Sequence, residues 1–152
     1  MRVISAAGLA LLKSFEGCRL VVYLDIAGYA TVGWGHKVTP EDNLKVGDVV
    51  TQEWADAKLL ADLAPAQLDV DHYSPQTLND AQFSALVDYT YNCGVEAFQE
   101  FAHNHMEDDA WMLKVPPALL LWDDADHKPD EGLLERRTAE AAMFCGLLVS
   151  RP

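Results

Sequence analysis

Long apolar runs are missing: nowhere among the 152 residues do apolar side chains approach the roughly 20 in succession that a membrane span requires. Basic residues are scarce, 11 against 24 acidic ones, for a formal charge of −13 at pH 7. Phosphate recognition needs a positive face, so nucleic acid is not an expected partner. Cysteine is rare too: Cys18, Cys93 and Cys145 are widely separated and form no C-x-x-C pair. An odd number of scattered thiols argues against a disulfide framework. Free cysteine packs as a small hydrophobe, so all three are expected in or near the core. There is no internal repeat, coiled-coil heptad or low-complexity run. Near the N-terminus Arg2 is basic, but the apolar residues follow helical spacing, are interrupted by Lys13 and reach no convincing cleavage site. No signal peptide is therefore expected, and the chain should begin in the cytoplasm.

What is present is apolar content of 50%, spread along most of the chain, enough for one compact unit or two packed lobes. Ser5 can cap a first helix carrying Ile4, Leu11 and Phe15 on one face, with Gly8 as a gap in it, and Gly17 suits its exit. From Arg19 to His36 strand-formers (Val21, Val22, Tyr23, Thr31, Val32) alternate with Gly28, Gly33 and Gly35, which reads as a short antiparallel sheet with tight turns. Thr51 caps a helix through Leu63 that Pro65 should end or kink. Asn79-x-x-Gln82 is a capping box ahead of Phe83, Leu86, Val87 and Thr90 at helical spacing. Residues 97–121 have no clear period; Pro116-Pro117 is expected to open a short helix toward Trp122 and not to lie inside one. Asp130 should start the last helix. The order predicts an α+β fold: a small antiparallel sheet lobe over about residues 16–60, a helical lobe over 61–152 with helix 4–15 packing near it, and a cleft between the lobes.

The chemistry-bearing stretch runs Phe15-Glu16-Gly17, Tyr23-Leu24-Asp25 and Ala30-Thr31-Val32-Gly33-Trp34-Gly35-His36. One carboxylate ends a helix, a second sits on the sheet, and a hydroxyl follows on the next strand. Glycosidic cleavage uses such a pair: one acid protonates the leaving oxygen while the other supports water or the developing oxocarbenium ion. On chemistry alone the signal is weak, since two acids nine residues apart are common in surface loops. His103, His105, Glu107 and Asp109 compose a conceivable zinc set, but two histidines spaced by one residue suit a strand better than the helix or loop expected there.

The spacing Glu16–Asp25–Thr31 resembles the active-site pattern of the phage lysozyme family related to T4 and lambdoid endolysins. The resemblance continues through Ser5, Gly8, Gly33-x-Gly35-His36, Gln82-Phe83-x-Ala85-Leu86-Val87, Tyr91-Asn92-x-Gly94, Ala97-Phe98, Trp122, Gly132-Leu133, Arg136-Arg137 and Ala139-Glu140. It implies a single lysozyme-like domain over residues 1–152 and a muramidase that cleaves the β-1,4 bond between N-acetylmuramic acid and N-acetylglucosamine in bacterial peptidoglycan. By matched position, Glu16 is the general acid, and Asp25 and Thr31 position and activate water, with inversion. Substrate contacts are expected from Trp34, Asn92, Arg136 and Arg137; alternative readings are packing for Trp34, a tie toward Trp122 for Asn92, and an Arg136–Glu140 pair on a solvated face. The family also implies a His36–Asp62 ion pair. Peptidoglycan is the expected partner, of a monomer without cofactor or metal, made in the host cytoplasm and released to the wall through a separate membrane pore. The pattern departs from the family at 99–109 and at Asp123-Asp124-Ala125-Asp126, where acids replace a basic turn. That mosaic also fits an engineered or generated member, and a weakly active or inactive peptidoglycan-binding module on the same fold is the alternative function.

Overall fold

The computed structural model describes residues 2–122, 124–125 and 128–147. Asp123 and Asp126 of the acidic turn lie outside the described residues. Residues 13–64 form one compact unit, and the segments before 13 and after 64 form another.

The sheet unit takes over within helix α1 (Ala6–Glu16). Gly17, with φ +65°, supplies the left-handed turn that ends the helix at no steric cost. Strand β1 (Arg19–Leu24) pairs antiparallel with β2 (Ala30–Gly33), and β2 with β3 (His36–Lys37), in the order β1-β2-β3. The register sets Tyr23 opposite Thr31 and Val32 opposite His36. On its other side β1 meets the 47–50 segment through a Val21–Val49 bridge and the bonds Val22 N to Asp48 O (2.9 Å) and Val50 N to Leu20 O (2.8 Å). Val22, Val32 and Val50 form the unit's small core, covered by Leu20, Val38, Leu44 and Trp54. A single 3-10 turn, Pro40–Asp42, leads on to α2 (Gln52–Asp62), whose cap Thr51 accepts the Trp54 N–H.

The helical unit contains α3 (Ala64–Tyr73), α4 (Asp80–Cys93), α5 (Val95–His105), α6 (Trp111–Leu119) and α7 (Glu131–Phe144), with a two-residue ladder of β4 (Asp124–Ala125) and β5 (Lys128–Pro129) before the last helix. Helix α4 is its axis: every residue from Gln82 to Thr90 is buried. Its capping box forms in both directions, with Gln82 N to Asn79 Oδ1 and Asn79 N to Gln82 Oε1 each 2.9 Å. Asp130 caps α7 through Leu133 N at 2.9 Å. The first half of α1 packs directly on α4. Ser5 N donates to Ser84 Oγ at 3.0 Å, and a Cβ placed on Gly8 would stand 2.4 Å from the Ser84 Cβ.

Two expectations need correction, and one gains a detail. Pro116 and Pro117 do not open a helix; they lie inside α6, toward its end. They leave the carbonyls of Met112 and Leu113 without an i+4 donor, and both residues are exposed, so water can serve those groups. Buried Trp111, Val115, Ala118 and Leu119 hold the helix in spite of the lost bonds. Pro65 marks not only an end but a new helix, standing at the second position of α3, where its missing N–H is not needed. Nor do the cysteines fill the core: Cys145 is exposed, and Cys18 and Cys93 are half-buried.

The close α1–α4 approach sets a stability test. Gly8→Ala forces the Ser84 Cβ to move, an overpacking that costs about 1–3 kcal/mol. Thermal unfolding should show Tm falling by roughly 2–4 °C for each of those kcal/mol; a variant melting with the parent would show that the two helices separate freely.

Candidate active site

The sheet unit carries Glu16, Asp25 and Thr31 together. Glu16 is the last residue of α1 and is half-buried. Asp25 opens the turn between β1 and β2, and the turn is built around its carboxylate. Oδ1 accepts the Ala27 N–H at 2.9 Å and the Tyr29 N–H at 2.8 Å, while the main chain closes through Asp25 N to Tyr29 O and Gly28 N to Asp25 O, both 2.9 Å. One oxygen is thus fixed by the backbone. The other, Oδ2, faces the Thr31 hydroxyl at 3.4 Å. Thr31 is 4% exposed, and its hydroxyl also lies 3.2 Å from Tyr29 O. Both distances are long for an O–H···O bond, so the hydroxyl is oriented without being locked to either acceptor.

Trp34 is half-buried and clamped from two sides. Its indole N–H donates to Asp56 Oδ1 at 2.7 Å, and the Lys13 ammonium lies 5.0 Å from the ring centroid. Lys13 also bridges to Asp56 at 2.8 Å, and Gln52 donates to the same oxygen at 2.9 Å. The Lys13, Trp34 and Gln52 bonds hold the Asp56 carboxyl down at about 2.

His36 is buried on β3 and sits between two carboxylates. Nδ1 lies 2.8 Å from Asp62 Oδ2, as the family resemblance implies, and Nε2 lies 2.9 Å from Asp42 Oδ2. The Asp42 side chain has no exposure at all. It also takes bonds from Thr39 N (2.8 Å) and Thr39 Oγ1 (2.9 Å), and it pairs with Lys58. Burial works to raise its pKa, but the Lys58, His36 and Thr39 bonds outweigh it and hold the carboxyl well below the usual carboxylate range.

In the helical unit Arg136 and Arg137 are buried with acidic partners, and the exposed Asn92 is bonded to Arg137. Arg136, 4% exposed, reaches Asp88 Oδ1 of α4 with Nη2 at 2.5 Å and Nε at 3.2 Å, and Glu140 Oε1 with Nε at 3.5 Å. Arg137 is fully buried; it donates to Asn92 Oδ1 at 2.7 Å and to Cys93 Sγ at 3.1 Å, and lies 3.0 Å from Glu140. The Arg136–Glu140 pair is therefore interior, not on a solvated face. Burial and the Asp88 charge push Glu140 well above the carboxylate range against the pull of Arg137 and Arg136, and burial raises the Cys93 thiol and the Tyr89 phenol. His103 pairs with Glu107 at 2.5 Å while His105 packs on the Phe101 ring, with centroids 5.0 Å apart. No group of three metal-binding side chains occurs among the described residues.

The sequence profile of the phage lysozyme family matches residues 13–140. The endolysin of Acyrthosiphon pisum secondary endosymbiont phage 1 is 33% identical over 145 residues, covering 93% of this chain and 97% of that protein. The chain belongs to the phage lysozyme family. Among solved structures, a mutant of P22 lysozyme superposes with a TM-score of 0.85 at 31% identity, covering 95% of this chain and 99% of that one. The muramidase domain of SpmX from Asticaccaulis excentricus does so at 0.81 and 30% identity, covering 95% and 98%. This lysozyme is accordingly an α+β glycoside hydrolase that degrades peptidoglycan.

Several supports of the lysozyme's site had no clear signal in the sequence. Lys13 and Asp56 are 43 positions apart, and no periodicity links them to Trp34. Asp42 did have one: Thr39-x-x-Asp42 matches a capping pattern, and its carboxylate does return to the Thr39 N–H.

Asp42 gives a pH test. A carboxyl held low in the folded state contributes stability above its unfolded value, near about 4, and loses it as pH falls through the folded value. Asp42→Asn should therefore be clearly less stable than the parent in urea at neutral pH, with the gap closing as pH drops below about 4. A gap that widened in acid would mean the carboxylate is a burden to the fold.

Proposed function

We propose that this lysozyme hydrolyses the β-1,4 bond between N-acetylmuramic acid and N-acetylglucosamine with inversion at the anomeric carbon. Glu16 gives its proton to the leaving O4 as the C1–O bond breaks. Water bonds to C1 from the opposite face and passes a proton to Asp25. The observation that carries this reading is the asymmetry of the Asp25 carboxylate. Two backbone N–H groups hold one oxygen, and the other faces the Thr31 hydroxyl, so a water lying beside the pair can donate to Asp25 Oδ2 and accept from the Thr31 hydroxyl. An attacking carboxylate would have no use for that hydroxyl. Trp34 is positioned within the sheet unit through Asp56 and Lys13, and in the helical unit Asn92, Arg136 and Arg137 tie α4 to α7. The enzyme is made in the host cytoplasm and reaches the wall through a separate pore; among the described residues no helix is long and apolar enough to cross a membrane.

Glu16→Gln should fold as the parent does and clear cell walls more slowly by about 10²–10⁴-fold, the usual worth of a general acid. Parental clearance would remove Glu16 from the mechanism, and a parent chain that binds sacculi without clearing them would be a glycan-binding module. NMR of the first product, taken before mutarotation, should show the α-anomer; the β-anomer would make Asp25 a nucleophile.

Lysis should also respond to salt. The chain carries −13 and bacterial envelopes are anionic, so the two repel, and salt shortens that repulsion to about 10 Å at 0.1 M. Activity should rise from very low ionic strength to an optimum while Tm changes little. A steady fall with every addition of salt would reveal attraction instead.

A further inference from the structure

Outside the residues assigned to cleavage, the helical unit has a recess of about 400 Å³ between the end of α3 and α5. Ser74 and Met106, 8% and 5% exposed, line it alongside Tyr73, Gln99, His103 and Glu107. The buried Ser74 hydroxyl has the Met106 thioether at 4.0 Å as its acceptor, a poor one that leaves hydrogen-bonding capacity unused. Gln99 donates one N–H to Asp69 at 2.7 Å, and that bond leaves its carbonyl oxygen as an acceptor. His103 turns Nδ1 to Glu107 at 2.5 Å, which leaves Nε2 for another partner. Tyr73 is 45% exposed and presents an aromatic surface.

These groups describe their ligand. The volume is at the small end of ligand pockets, suited to a sugar and not to a folded peptide. A thioether and a phenol ring offer contact to C–H faces, while a hydroxyl, an amide carbonyl and an imidazole offer hydrogen bonds around them. No lysine or arginine lines the recess among the described residues; its basic groups are the imidazoles of His72 and His103, while Glu107 lines it and Asp69 is bonded to Gln99, so an anion is disfavoured. Each of those acids already faces a partner in His103 or Gln99, so neither calls for a cation. We propose that this recess is an accessory site for a neutral N-acetylhexosamine of the wall glycan. It lets a strongly acidic enzyme hold an anionic wall through the wall's uncharged sugars. The assignment rests on the family's peptidoglycan substrate and not on the roles given to Glu16, Asp25 and Thr31.

The test titrates N,N′-diacetylchitobiose into Glu16→Gln protein and follows the amide resonances by ¹H–¹⁵N NMR. Tyr73, Gln99 and His103 should shift along one saturation curve, and the double variant Tyr73→Ser/His103→Ala should lose that response. Both side chains are well exposed, at 45% for the tyrosine residue and 73% for the histidine side chain, so the variant should melt with the parent. In the active enzyme the same pair of changes should lower retention on purified sacculi by about three- to tenfold, the range of one aromatic contact, and leave hydrolysis of soluble glycan oligomers unchanged. Shifts confined to residues 16–37 would overturn the proposal, as would parental retention by the double variant. A response to cadaverine in place of the sugar would also overturn it, because the recess would then be a cation site.

Discussion

The Asp42 side chain is withdrawn from water when the chain folds, and a bare carboxylate in that position would be costly. Its neutralisation recruits three segments at once: Thr39 from the 3-10 turn, His36 from β3 and Lys58 from α2. His36 carries the tie on to Asp62 near the end of α2. The strand that holds His36 follows the glycine-rich turn after Thr31 and Trp34, so the same carboxylate that satisfies itself also fixes where those two residues stand relative to α2. Trp34 then meets Asp56 one helical face along, and Lys13 closes the group from the end of α1. The order of the sheet unit follows from the need to surround one charge.

Asp25 shows a different solution to the same problem. It is partly open, and the backbone of its own turn supplies the donors, so no distant residue is required. That difference explains what could be read from the sequence. Glu16, Asp25 and Thr31 lie within sixteen positions, so spacing and resemblance single them out as candidates. The capping residues Thr51, Asn79 and Asp130 act on N–H groups three positions away and were equally legible. The Lys13–Asp56–Trp34 clamp and the Asp88–Arg136 bond join residues 22 to 48 positions apart, and nothing in a single sequence marks such pairs. Helix α6 departs from its expected bounds for another reason. Proline's local cost is real, but four buried apolar residues on one face outweigh it, and that sum is visible only once the neighbours are placed.

Charge is distributed with the chemistry. Between Glu16 and Glu41 the only acid is Asp25, although the whole chain has 24 acidic residues. Arg19 and Lys37 supply positive charge nearby in sequence. Elsewhere acids are solvated or, as with Asp42, Asp88 and Glu140, closed in with basic side chains.

The contact between α1 and α4 also bears on how the sequence can vary. Gly8 and Ser84 occupy one shared space, and Ser84 is held there by its bonds to Ser5 and to the Asp80 carbonyl. In a combinatorial library the two positions therefore behave as a single variable. A side chain gained at 8 is better accommodated beside one lost at 84, provided that Ile4, whose Cγ1 also borders the space, can move, so surveys that change one position alone overstate the intolerance of position 8.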